Sequence, residues 1–139
     1  MTVRTFDAAA VSDICNNPTV LPTLSLGRGE IDVTSLIADH RNLFFLGEFG
    51  GAMFHRVAPD VYAAHDFFLP EGRGQWALRA SRQMLKLAFD HGAKMVFADT
   101  PIANRACRMF NRWLGFQSRG ISTDPVMGEV ETFVLYAAA

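Results

Sequence analysis

The spacing of apolar residues changes period several times along this chain, and each change marks an element. Phe6, Ala9, Ala10 and Ile14 recur at helical spacing until Asn17-Pro18 stops the run, which predicts a helix over 6–16. A short helix fits Val33 to Asp39, with Asp32 at its N-cap. The period then shortens. Leu43 to Phe49 and Ala52 to Val57 read as two strands joined by a tight turn at Gly50-Gly51, and after the turn Ala58 to Asp60 a third strand covers Val61 to Leu69. These three strands form an antiparallel meander.

From Gln75 to His91 the helical period returns. Arg79, Arg82, Gln83, Lys86 and Asp90 gather on one face and Ala77, Ala80, Met84, Leu87 and Ala88 on the other, with Gly92 as the stop. Lys94 to Asp99 reads as a buried strand, and a strand, helix and strand in succession favour a parallel right-handed crossover. Thr100-Pro101 or Asn104 starts the next helix, which ends at Leu114 to Phe116. A loop rich in Gly, Ser, Asp and Pro follows, and Glu131 to Tyr136 is the last strand. The fold class is therefore α/β: a mixed sheet with an antiparallel N-terminal meander, a βαβ-like C-terminal half and helices on both faces. At 139 residues, residues 1–139 are expected to form one domain.

One stretch carries chemistry. Between the third strand and the central helix lies Leu69 to Trp76, in which Gly72 and Gly74 permit backbone conformations closed to other residues and Arg73 adds a positive charge. The helix that follows aims unpaired N–H groups and its positive dipole end at the same place, so the turn suits a phosphate or pyrophosphate. The same two glycines also serve an ordinary strand-to-helix turn. The net charge of -1 argues against a nucleic-acid partner, and no apolar run approaches the ~20 residues of a membrane span. Met1 to Ala10 lacks the pattern of a secretory signal, so a cytoplasmic protein is expected. Cys15 and Cys107 sit in separate helical patterns without metal-ligand spacing and read as reduced packing residues; no metal site is expected. His40, His55 and His91 read as surface residues.

The order of elements, with a glycine turn opening the central helix, resembles the GNAT superfamily of N-acetyltransferases. The motifs that carry the resemblance are Glu71-Gly72-Arg73-Gly74-Gln75-Trp76, similar to the family's Arg-Gly-x-Gly-x-Gly/Ala turn, and Asn104, Ala106 and Gly115-Phe116 on the following helix. It covers Asn42 to Phe116 well, and the form His65-x-Phe-x-Leu-Pro-Glu-x-x-Gly is similar to small GNAT-like proteins of phages and prophages, which would place it in the host cytoplasm. The resemblance implies acetyl-CoA as cofactor. Its pyrophosphate would lie on the backbone of Gly72, Arg73, Gly74, Gln75 and Trp76 and its pantetheine arm along Phe67, Phe68 and Leu69. Asn104 would lie near the reactive end, and Arg105 or Arg108 near a phosphate. Many members are homodimers; no residue here names an interface.

Three positions depart from the family pattern. Trp76 stands where a small residue is usual, and its indole either crowds the cofactor or packs away beside the turn. Glu71 replaces the usual Arg. The family's Tyr, which reprotonates the departing thiolate, falls three residues after Arg108, where this chain has Asn111, whose amide cannot act as an acid. Tyr62 and Tyr136 are the only phenols that could substitute.

Acetyl transfer to an amine needs a base, and His65, on the strand leading into the turn, is the first candidate, with Glu48 on the first meander strand as the second. Strand alternation places Asp66 on the opposite face from His65. The sequence thus supports an acetyl-CoA-dependent N-acetyltransferase acting by direct transfer to an amine acceptor, either a small molecule or a protein. It leaves open a non-catalytic GNAT-like binding or virion-associated protein, and a turn that holds another phosphorylated ligand such as a nucleotide. Acceptor choice is expected to lie in the segments Thr19 to Val33 and Gly120 to Glu129.

Overall fold

The structure, a computed structural model, describes residues 2–24 and 29–138. Its elements are β1 (Val3–Arg4), α1 (Ala8–Cys15), α2 (Leu21–Leu24), α3 (Thr34–Ala38), β2 (Leu43–Gly47), β3 (Gly50–Ala58), β4 (Val61–Phe68), a 3-10 turn (Pro70–Gly72), α4 (Gln75–Asp90), β5 (Met95–Pro101), α5 (Arg105–Trp113), β6 (Gln117–Asp124) and β7 (Gly128–Tyr136). The strands make one sheet in the order β1-β2-β3-β4-β5-β7-β6. Every neighbouring pair is antiparallel except β4 and β5, which are parallel and joined through α4.

Alternation along the strands divides the apolar side chains between two cores. Leu43, Phe45, Ala52, Phe54, Tyr62, Phe68, Val96 and Phe133 point to the face covered by α4 and α5. Phe44 and Phe67 point to the other face, where Val11, Cys15, Val20, Val33 and Ile37 from the N-terminal helical segment cover them. In α4 the buried residues Ala77, Ala80, Ser81, Met84, Leu85 and Ala88 follow the helical period, and the polar stripe faces out, where Lys86 and Asp90 pair at 3.1 Å. Gly92, at φ 106°, ends that helix in the left-handed conformation expected of it.

Several expected boundaries move. The first helix begins at Ala8, because Asp7 accepts the Ala10 N–H at 3.0 Å and caps it; Phe6 lies outside, against Arg4 and His40. Val33 rather than Asp32 caps α3, and the Asp32 carboxylate instead accepts from the N–H and hydroxyl of Thr34. The first hairpin turns at Glu48-Phe49, since Gly47 pairs with Gly50 and Leu46 with Gly51. The two glycines serve close strand approach: a Cβ on Gly50 would come 2.1 Å from the Phe67 carbonyl oxygen, and one on Gly51 1.9 Å from that of Phe45. The segment expected as a loop after Phe116 contains β6, whose residues are nearly all exposed; its pairing with β7 shifts register between Ser118 and Ile121, and its tip at 125–127 is irregular.

Candidate active site

The site is made by a divergence of two strands. β4 and β5 pair at Val61 with Met95, Tyr62 with Val96 and Ala63 with Phe97, and no later pairs join them among the described residues, although β4 runs on to Phe68 and β5 to Pro101. The Leu69 N–H reaches the Phe49 carbonyl at 2.8 Å, which fixes the alternation at this end of β4. The N–H and C=O groups of Phe68, Asp66 and Ala64 therefore point into the gap, and those of Phe67 point back to β3. Of the three residues expected to face an extended ligand with their backbone, Phe68 alone does so.

A cavity of about 280 Å³ fills the gap and opens to both faces of the sheet. On the α4/α5 side its walls include Ala64, Asp66, Ser81, Thr100, Cys107 and Asn111. On the N-terminal side they include Thr23, Leu24, His65, Phe97, Asp99 and Met127. Asn104 lies at its rim, where its side chain caps α5 by accepting the Cys107 N–H at 3.1 Å. No Lys or Arg lines the cavity among the described residues.

At one end of the gap α4 begins without a side-chain cap. The N–H groups of Gly74, Gln75, Trp76 and Ala77 meet no acceptor among the described residues, because intrahelical bonding starts with Leu78 N–H to the Gly74 carbonyl. Gly74 holds φ 95° with nothing within 4 Å of where a Cβ would be, which leaves its backbone open to a ligand. Gly72 has a different use: its N–H is taken by the Leu69 carbonyl, and a Cβ there would meet Phe49 and Trp76 at 2.5 and 2.8 Å. Trp76 packs away from the helix mouth, edge-on to Phe49 and Phe68 at 5.3 and 6.0 Å. Arg73 turns back over β4, donating to the carbonyls of Phe68 at 3.3 Å and Thr19 at 2.8 Å.

Other candidates lie elsewhere. Glu48 is exposed on the hairpin turn, outside the cavity lining, rather than within a strand among Leu and Phe. Arg108 is committed to Glu131 at 2.8 Å and to the Ile102 carbonyl, and Arg112 bonds the other oxygen of Glu131 at 2.9 Å. The Ser118 hydroxyl and these two guanidinium groups hold the Glu131 carboxyl below its ordinary range. Tyr62 is buried under α4, and Tyr136 accepts from Arg119 at 2.9 Å, so neither phenol lines the cavity. Asn111 is buried there and donates to the Thr100 hydroxyl at 3.0 Å.

His65 and Asp66 stand on opposite faces of β4 and line the one cavity. Both residues are exposed to solvent within the cleft, with protein packed around them on the remaining sides. Burial lowers the His65 pKa, helped by His55 and opposed by Asp99. Burial pushes Asp66 up to about 6, with Arg73 opposing. Burial likewise pushes the Cys107 thiol up to about 12, so it stays protonated and is no nucleophile. Asp66 was legible as the residue opposite His65. Its place in the cavity followed from strand divergence, for which the sequence has no local sign.

A parallel pair that splays beside a glycine-opened helix, within a seven-stranded mixed sheet, is the GNAT acetyltransferase fold. Solved structures bear this out at low identity. An N-acetyltransferase from Staphylococcus aureus Mu50 is 17% identical, with a TM-score of 0.78 over 98% of this chain and 97% of that one. A GNAT-family acetyltransferase from Bacillus anthracis is 16% identical, with a TM-score of 0.72 over 95% and 90%. The aminoglycoside acetyltransferase AAC(6')-Ib, in complex with coenzyme A and kanamycin, is 17% identical, with a TM-score of 0.76 over 98% and 94%. No family profile matches the sequence, and no curated protein does.

Proposed function

We propose that this protein is an acetyl-CoA-dependent N-acetyltransferase that passes the acetyl group directly to a small amine. The observation that carries the reading is the splayed edge of β4, with the backbone groups of Ala64 and Asp66 turned into the cavity and, past the end of that strand, the uncapped start of α4, whose residues Gly74 to Ala77 lie outside the cavity lining. An extended pantetheine arm requires such an edge, and a pyrophosphate requires such a helix start. Gly74, Gln75, Trp76 and Ala77 would hold the pyrophosphate through their N–H groups, and Ala64, Asp66 and Phe68 would hold the arm. Bound there, acetyl-CoA supplies an activated acyl carbon at the crossing of the sheet. The acceptor would enter from the N-terminal side past Thr23, Leu24 and Met127, with His65 taking the ammonium proton. A lowered pKa keeps His65 unprotonated at neutral pH, as a base must be. Asn104 would lie beside the acyl end. The motif from His65 to Gly74 supports a small phage-type enzyme working in the cytoplasm.

The absence of a phenol from the cavity lining among the described residues, and the Arg73 contact on the Phe68 carbonyl, favour a second reading in which the scaffold binds without catalysis. Release of free thiol from acetyl-CoA, followed over a panel of primary amines and diamines, separates the two. Turnover that collapses in His65→Ala while the fold persists supports the enzyme; no amine-dependent release with any acceptor supports the binding protein.

A further inference from the structure

We infer that Asp66 is the proton donor to the departing CoA thiolate and that it takes up that proton when the cofactor enters the cleft. The inference rests on the acetyl-transfer reading and assigns the role that the Asn111 amide cannot fill. Asp66 lies in the open half of β4, opposite Ala52 of β3, with its side chain on the α4/α5 face. This is the face of Cys107 and Asn111, the side of α5 where the resemblance puts a phenol. Asp66 takes part in no hydrogen bond or ion pair among the described residues, so nothing fixes it in the ionised form.

The charged and titratable groups facing Asp66 are few. From the turn before α4 there is Arg73, whose guanidinium is already bonded to two carbonyls, and from α5 the protonated Cys107 thiol. The cavity residues of α4 (Ser81, Met84, Leu85), of β3 (Ala52, Phe54) and of β5 on this face (Ala98, Thr100) do not titrate near neutral pH. His65 points to the other face. A pantetheine arm in the gap would displace the water that now solvates Asp66, and its negative phosphates would add to the cost of a second negative charge. Both effects favour the neutral acid.

The step then balances. The amine lone pair adds to the thioester carbonyl carbon after His65 has removed the ammonium proton. The adduct collapses to the amide as the C–S bond breaks with its electron pair going to sulfur, the sulfur takes the Asp66 proton, and the nitrogen, which still carries one proton more than an amide, releases it to solvent. Asp66 is left as a carboxylate, and the proton on His65 returns to solvent. The next cofactor to enter restores the acid from solvent.

Calorimetric titration of CoA into the intact protein at pH 7, in phosphate and in Tris, reads proton uptake directly from the difference in apparent enthalpy. The native protein should take up about half a proton per site more than Asp66→Asn, which should bind CoA within a few-fold of native. Subtracting the variant removes the contribution of the CoA phosphates. In kinetics the Asp66→Asn variant should lose ~10²-fold in kcat, and the fall of kcat at high pH should vanish with it. Equal uptake in the two proteins, or an unchanged pH profile, overturns the assignment. If native protein neither binds CoA nor is stabilised by it, the acetyl-transfer reading itself fails and the assignment falls with it.

Discussion

Replacing Asp66 by Asn removes a charge that the fold holds without a partner, and the protein should gain stability from it. The carboxyl is pushed up from its ordinary 3.8 to about 6 by burial. Because the folded value is raised, the folded state binds the extra proton between these limits. Stability is therefore full below about pH 4 and declines as pH rises to about 6, after which the penalty is constant. Two pH units correspond to an upper bound of about 3 kcal/mol. Asp66 is open to the cavity and partly solvated, which reduces this to about 1–2 kcal/mol. Asn has nearly the same shape and no charge. Thermal unfolding at pH 7.5 should show Asp66→Asn above native by roughly 3–8 °C, and at pH 4 the difference should shrink to about 2 °C or less. A variant no more stable than native at pH 7.5, or one whose advantage persists unchanged at pH 4, would refute the account of an unpartnered carboxylate with protein packed around it in the cleft.

Three further outcomes are expected. Glu131→Ala leaves Arg108 and Arg112 without their shared anion beside β7; with Arg112 half-exposed, the loss should be about 2 kcal/mol by denaturant unfolding, and no loss would show the triad to be incidental. Gly51→Ala places a Cβ 1.9 Å from the Phe45 carbonyl oxygen, so the first hairpin must open; the variant should lose more than about 3 kcal/mol or fail to fold, whereas a native melting temperature would show that the strands can part cheaply. Arg73→Ala removes two bonds to backbone carbonyls and should cost about 1–2 kcal/mol of apo stability; if the melting temperature is unchanged, the contacts with Phe68 and Thr19 do not persist in solution.

The periodic elements were legible because burial is one-sided. The buried stripe of α4 and the alternation of β4, which set His65 and Asp66 on opposite faces, follow from spacing alone. Asn104 was legible as a helix start because a short polar side chain before a helical run is a cap. β6 was not, since its outward-facing residues leave no apolar alternation to detect. Gly50-Gly51 looked like a turn because glycine permits turns, yet the same property allows close strand contact, and local sequence cannot separate the two. The commitment of Arg108 to Glu131 spans 23 positions and has no local signature. The divergence of β4 from β5 is set by what packs on each strand, so the cavity, and Asp66 within it, emerged only with the fold.

The segments expected to govern acceptor choice both reach the cavity, through Thr23 and Leu24 from one and Met127 from the other; residues 25–28 of the first lie outside the described residues. The central claim is that the gap between β4 and β5 receives a CoA molecule. The most direct test is thermal unfolding with acetyl-CoA and with CoA, using ATP and NAD as controls. At ~100 times its dissociation constant a ligand adds about 2.7 kcal/mol, which for a chain of this size raises the melting temperature by about 10 °C. A rise of that order with the CoA species and not with ATP or NAD is the predicted result. No rise with either CoA species at millimolar concentration, or an equal rise with ATP, would contradict it.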